Sequence, residues 1–236
     1  MVRREERMMV LTSSQIIVDQ MPGILAKKEL SLPVVRCEFD HTVEYAHAAV
    51  ERGVRVLISR GYTAALLRAH LNIAVVDVKM TCFDFLSAAM QARQIGQRIA
   101  FVGYKDIWEM YLEQYRQLLG NPEIVYIRHH NELRQTLTQL KGTGTEVVVG
   151  GGTTCTIARE LGLAAVHIGA EGGAIEDALE EAEHLLRVEL DRAEKYDLIN
   201  SLLNSVSEGV AAVDPMGRII NCNRSAAEIL GDSWEG

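Results

Sequence analysis

Two stretches of this chain, RVLISRGYTAALLRAHLNIAVVDV at 55–78 and EVVVGGGTTCTIARELGLAAVHIG at 146–169, align without a gap at a constant offset of 91. They share Val56/Val147, Gly61/Gly152, Thr63/Thr154, Arg68/Arg159, Ala74/Ala165 and Val75/Val166. Six identities in 24 positions carry little alone, since several involve common residues. The same offset also maps what lies upstream. Met8–Leu11 falls on Ile99–Val102, Pro33–Cys37 falls near Ile124–Arg128, and the helical stretch after His41 falls on that after Glu132. A repeat on this scale constrains the fold more than any other feature, because two copies of one plan must each find a core.

Each copy alternates short apolar runs with amphipathic stretches. Lobe 1, about 8–78, reads as strands at Met8–Leu11, Val34–Cys37, Val54–Ile58 and Ala74–Val78, with helices at about Gln15–Lys28, His41–Glu51 and Thr63–His70. Lobe 2, about 99–169, repeats the order. The apolar runs suit parallel strands covered on both faces. The expected fold class is therefore α/β, with two similar Rossmann-like (flavodoxin-like) lobes built on parallel sheets. A helix at Phe83–Gln94 should cross between the lobes, and the strand ends of both should face a common cleft.

After Gly172-Gly173 the composition changes. Residues 174–206 lack Gly and Pro, and their apolar residues fall mostly at threes and fours. This predicts a helical linker, either one long helix or two with a break near Asp197. It either packs on lobe 1 or joins two copies of the chain as a homo-oligomer. Residues 207–236 predict a hairpin, Val210–Val213 and Arg218–Cys222 about the turn Asp214–Gly217, then a helix from Arg224 to Gly231. One hairpin and one helix cannot bury a core, so the segment reads as an incomplete domain.

Charge and cysteine content narrow the function. Lys plus Arg number 24 against 32 Asp plus Glu, a formal net charge of -8, which disfavours direct nucleic-acid contact. MVRREERMM lacks the apolar stretch of a signal peptide, and no run approaches a membrane span. The four cysteines are scattered, with no C-x-x-C pair, as expected in the cytoplasm.

In open α/β folds ligands bind at the carboxyl ends of strands, beside helix N-termini. Ser59, Arg60, Gly61 and Thr63 occupy that place in lobe 1, and Gly151, Gly152, Thr153 and Thr154 occupy it in lobe 2. A glycine turn with hydroxyls before a helix suits an anion. Arg60 would fork onto a ligand carboxylate from a wet cleft; its plainer reading is a surface salt bridge. Lys79 and Asp84, with Thr81, follow the next strand and are candidates too. GGGTT at 150–154 is neither a Walker loop nor a dinucleotide fingerprint, and no cofactor motif is present. His41, His47, His129 and His130 read as loop or surface residues. A racemase or decarboxylase is the alternative, with Cys82 and Cys155 as acid and base. The repeat, however, pairs neither cysteine with another.

The run LISRGYTAALLRAHLNIAVVDVKMTCFDFLSAAMQA, followed by IAFVGYKDI and VVVGGGTTCTIARELGL, resembles the N-terminal sensory domain of the propionate-catabolism regulators. These are sigma-54-dependent bacterial transcription activators, and the likeness spans roughly 8–190. Residues 197–236 resemble the opening of a PAS domain, with EGVAAVD, a D-x-x-G turn, RIINCN and AAEILG. The resemblance implies a metabolite-binding cleft, for 2-methylcitrate in those regulators. It carries over Ser59, Arg60, Gly61, Thr63, Lys79, Asp84, Tyr104 and Gly151 to Thr154. It also implies that DNA, ATP and RNA polymerase are met only through further domains. Members usually have a second glycine after S-R-G. Tyr62 stands there in this chain, so another carboxylate or an aromatic acid becomes an alternative ligand.

Overall fold

The computed structural model describes residues 7–37, 39–170 and 172–230. The chain divides into two units, Met1–Leu186 and Arg187–Gly236.

In the first unit strands and helices alternate. Lobe 1 contains β1 (Met8–Thr12), α1 (Gln15–Lys27), β2 (Val34–Arg36), α2 (Phe39–Glu51), β3 (Val56–Ser59), α3 (Gly61–His70) and β4 (Ala74–Asp77). After α4 (Cys82–Ile95), lobe 2 contains β5 (Ile99–Tyr104), α5 (Lys105–Tyr115), β6 (Glu123–Ile127), α6 (Glu132–Gly142), β7 (Val147–Gly150), α7 (Gly152–Glu160) and β8 (Ala164–His167). The two four-stranded sheets have one topology, β2-β1-β3-β4 and β6-β5-β7-β8, and every pairing in them is parallel. This is the doubly wound order, in which the chain reverses direction beside β1 and β5.

The register repeats as well. Met8 lies opposite Val56, and Ile99 lies opposite Val147, at the offset of 91. At the last strand the repeat slips by one. Val56 pairs with Ala74 but Val147 pairs with Ala164, so Ala74 is equivalent to Ala164 and not to Ala165. The gapless alignment is corrected there. The cause is length: α3 has 10 residues and α7 has 9, with three residues before the next strand in each lobe.

A parallel sheet is stable only with both faces covered. In lobe 2, alternation along β5 sends Phe101 to one face and Ala100 and Val102 to the other. The first face is packed by Phe85, Ala88, Ala89 and Ala92 of α4 and by Trp108 and Leu112 of α5. The second is packed by Leu133, Leu137 and Leu140 of α6 and Ala158 of α7. In lobe 1, Met9, Leu11 and Leu57 pack under Ala46 and Ala49 of α2 and Ala64 and Leu67 of α3. Thus α4 follows lobe 1 in sequence but buries its apolar side in lobe 2. The start of α8 (Gly172–Ser205) makes the return crossing. It buries Ile175, Ala178, Leu179, Ala182 and Leu186, and Glu180 pairs with Lys28 beyond the end of α1 at 2.6 Å. No helix break occurs near Asp197.

The second unit holds the remainder of α8 from Arg187, then β9 (Ala211–Val213), β10 (Ile219–Cys222) and α9 (Arg224–Leu230). The hairpin is antiparallel and turns where Asp214 Oδ1 accepts from the Met216 and Arg218 N–H groups. Asn223, only 2% exposed, organises the unit. Its Oδ1 accepts from the N–H groups of Val210 and Ala226, and its Nδ2 donates to the carbonyls of Leu203 and Glu208. β9 is exposed along its whole length. The expected helix stop at Gly231, and the rest of 231–236, lie outside the described residues. All four cysteines are free, and among the described residues no helix is long and apolar enough to cross a membrane.

Amide exchange should separate the two units. The buried central strands β3 and β7 should exchange slowest, and β9–β10, with unpaired edges and little core, fastest. Equal protection would show that the small unit has a core of its own.

Candidate functional site

Four helices begin where the central strands end: α1 after β1, α3 after β3, α5 after β5 and α7 after β7. Each points its N-terminal N–H groups into the space between the lobes, because every strand of a parallel sheet ends on the same side. The first turns of α3 and α7 have no side-chain cap, with Arg60 and Gly151 at the cap positions. Ser14 caps α1 by accepting from the Ile17 N–H. The cavity between the lobes has an empty volume of about 660 Å³, open solvent at its mouth included.

Of the candidates from sequence, Arg60, Gly61, Thr63, Tyr104, Gly151, Gly152, Thr153 and Thr154 line this cavity. Ser59, Lys79 and Asp84 do not. Ser59 is buried at the end of β3, its hydroxyl without a partner. Lys79 is exposed. Asp84 is buried under Arg60 in the first turn of α4, where it also completes a capping box with Thr81.

Three contacts between the lobes bear on the site. At the first, a Cβ on Gly152 would lie 2.6 Å from the Ser13 carbonyl oxygen, so only glycine lets α7 come this close to lobe 1. At the second, the Tyr62 and Tyr104 rings stack with centroids 3.6 Å apart and planes 12° apart. The Tyr104 hydroxyl also lies 3.0 Å from His130 Nδ1. Burial and the neighbouring Tyr62 push its phenol well above the usual range.

The third is Arg60. One terminal nitrogen donates to Asp84 at 2.9 Å, and the other donates to the carbonyls of Gly169 and Ile168 across the cleft. The side chains are 8% and 1% exposed. The expected bidentate fork onto a ligand is therefore already used within the protein, and the side chain is not in a wet cleft. Its Nε–H remains, buried and without a partner. Burial outweighs the two neighbouring carboxylates, Asp84 and Asp77, and lowers the guanidinium pKa. Gly61 adopts φ +57, and its N–H donates to Asp77 at 2.9 Å.

Sequence reading missed other cavity residues. Thr12, Ser13 and Ser14 line it from the end of β1; a strand running straight into a Ser cap was the available signal. Met80, Ile107, Trp108 and Ile168 form an apolar wall, Gly103 and His167 add to it, and Tyr62, expected from the sequence to alter the pocket, lines it as well. Burial first, then the positive charges of Arg60, Arg159 and Arg36, depress His167 to about 4. Neither Cys82 nor Cys155 lines the cavity. Burial pushes the Cys155 thiol up to about 11.

The comparisons with known proteins follow this geometry. The profile of the family described as "Propionate catabolism activator" matches residues 26–191, more than two thirds of the sequence. The chain belongs to that family. A PAS-domain profile matches residues 197–236. Among solved structures, an NtrC family transcriptional regulator from Clostridium acetobutylicum aligns at 22% identity with a TM-score of 0.67. It covers 77% of this chain and 97% of that one, and at this identity it shows the shared fold. An ABC domain in complex with L-Trp from Streptococcus pneumonia aligns at 8% identity and TM-score 0.42, covering 79% and 84% of the two chains. An allantoin racemase from Pseudomonas fluorescens aligns at 18% identity and TM-score 0.30, covering 77% and 91%. The last two likenesses are too loose to carry an argument. As a member of the propionate catabolism activator family with a PAS segment, the chain is a regulatory sensing module.

Two measurements test the site's physics. Arg60→Ala strands Asp84 as a buried charge, so urea unfolding should show a loss of about 3–5 kcal/mol. An unchanged midpoint would mean that the pair does not hold the lobes. His167 binds its proton less readily folded than unfolded. Its contribution to stability is full above pH 6.5 and is lost as pH falls towards about 4. The loss should approach about 3 kcal/mol. His167→Gln should flatten this acid limb of the stability profile; the same limb in the variant would assign it to other groups.

Proposed function

We propose that this chain is the ligand-sensing part of a sigma-54-dependent transcription activator and that its cleft binds a small organic acid without transforming it. The observation that carries this reading is a cavity ringed by helix N-termini, with Arg60, whose buried Nε–H has no acceptor, in its wall. A buried donor on a charged group costs free energy until an acceptor reaches it. A carboxylate suits the cavity because the uncapped N–H groups and hydroxyls at Gly152–Thr154 receive its charge. In this reading the module works in the cytoplasm, and domains beyond this chain contact DNA, ATP and polymerase. The racemase or decarboxylase alternative lacks support from geometry, because the cavity has no cysteine lining and Cys155 is held as a thiol.

The test uses Gly151, which lines the cavity. A Cβ there meets nothing within 4 Å, and φ is -74. Gly151→Phe should therefore fold normally and fill ligand space. In a thermal-shift panel of sodium carboxylates, at least one acid should raise the wild-type melting temperature with concentration. That shift should vanish in Gly151→Phe, and the acid should be recovered unchanged. A panel without any shift, or a shift that survives in the variant, defeats the proposal. Consumption of the acid would favour the enzyme.

A further inference from the structure

We infer that the cleft selects a monocarboxylate carrying an apolar body, and that it discriminates against di- and tricarboxylates, 2-methylcitrate included. This rests on the reading of the cleft as an organic-acid site and names the class of acid.

Charge is the first ground. Arg60 is the sole arginine or lysine among the residues lining the cavity, and Asp84 already neutralises it at 2.9 Å. His167 is held neutral by burial and by its arginine neighbours. Lys79 is exposed outside the cavity, and Lys105, next to Tyr104, pairs with Glu109 at 3.6 Å. The Gly61 N–H is taken by Asp77 at 2.9 Å, so what remains for an anion is the pair of helix ends without a side-chain cap at Lys105 and Gly152. Each is equivalent to about half a positive charge, so together they match roughly one carboxylate. A second or third carboxylate would enter an apolar, partly desolvated chamber without a counter-charge, which is strongly unfavourable.

A neighbouring pocket does not change this count. It shares Ser13, Gly152 and Thr153 with the inner cavity and adds Arg36, Arg134 and Glu160. Arg134 is bonded to Glu160, while Arg36 is exposed and bonded to the neutral Gln15 side chain at 3.0 Å. A single solvated guanidinium is screened by water and salt and adds little.

The second ground is the apolar part of the lining. Met80, Ile107, Trp108 and Ile168 present apolar surface to the cavity, and Trp108 is fixed edge-on against Phe85 with centroids 5.5 Å apart. The Tyr62 ring lies flat on Tyr104 and occupies space at the head of α3. Such a wall rewards an alkyl or aryl group and offers a second carboxylate nothing.

The experiment is calorimetric titration of the full chain with acetate, hexanoate, 3-phenylpropionate, succinate, citrate and 2-methylcitrate. Hexanoate should bind on the order of 100-fold tighter than acetate, from the burial of four further methylenes. Hexanoate or 3-phenylpropionate should bind at least ~10-fold tighter than succinate, citrate or 2-methylcitrate. Met80→Gln should weaken the two apolar acids and leave acetate unaffected. If citrate or 2-methylcitrate binds as tightly as the apolar acids, or if acetate equals hexanoate, this inference is overturned and the organic-acid site stands. If none of the six binds, both readings fall together.

Discussion

The buried guanidinium of Arg60 is the interaction on which the rest of the site depends. It leaves the end of β3 in lobe 1, meets a carboxylate at the start of α4 and reaches carbonyls just past β8 in lobe 2. Desolvating an arginine is expensive, and only a complete set of partners makes it tolerable. Here one of its three nitrogens, Nε, has no acceptor. Asp84 answers both the arginine and the Thr81 N–H, so the ion pair and the helix cap share one oxygen. The start of α4 and the approach of the lobes are consequently fixed by the same atom.

This arrangement explains why the helices cross between lobes. α4 packs on lobe 2 through Phe85, one residue after the carboxylate that holds lobe 1's arginine. The start of α8 returns to lobe 1, with Glu180 on Lys28. The sheet of lobe 2 therefore depends for coverage on a helix that follows lobe 1 in sequence, and α8 is tied back to lobe 1 by an ion pair. Removing the hydrophobic cover of one lobe requires moving a connection of both, which favours cooperative unfolding of the first unit over separate loss of either lobe.

Much of the fold was legible because its signals are local. Short apolar runs marked the strands, the offset of 91 linked the lobes, and the glycines at 61 and 152 marked the heads of the corresponding helices. The one-residue slip at β8 escaped because helix length, set by where the chain stops winding, leaves no mark in a gapless comparison. At the site, residues at strand ends were legible and their partners were not. Nothing in the sequence near Arg60 names Gly169 as its acceptor, 109 positions away. His167 looked like one more strand residue, and its neutrality follows from burial and distant arginines. Tyr62 was visible as an odd residue in a glycine's place, but its stacking on Tyr104 belongs to tertiary structure.

The same three contacts bear on how such a cleft could signal. Gly152 against Ser13, Tyr62 on Tyr104 and the Arg60 bonds all form between protein groups, with no ligand required to bridge them. A ligand shifts a conformational equilibrium only by its difference in affinity between the states. The joined arrangement thus has its own resting bias, set chiefly by a buried ion pair and a ring stack. In the proposed reading, a ligand in this cleft acts on the same contacts that hold the lobes together.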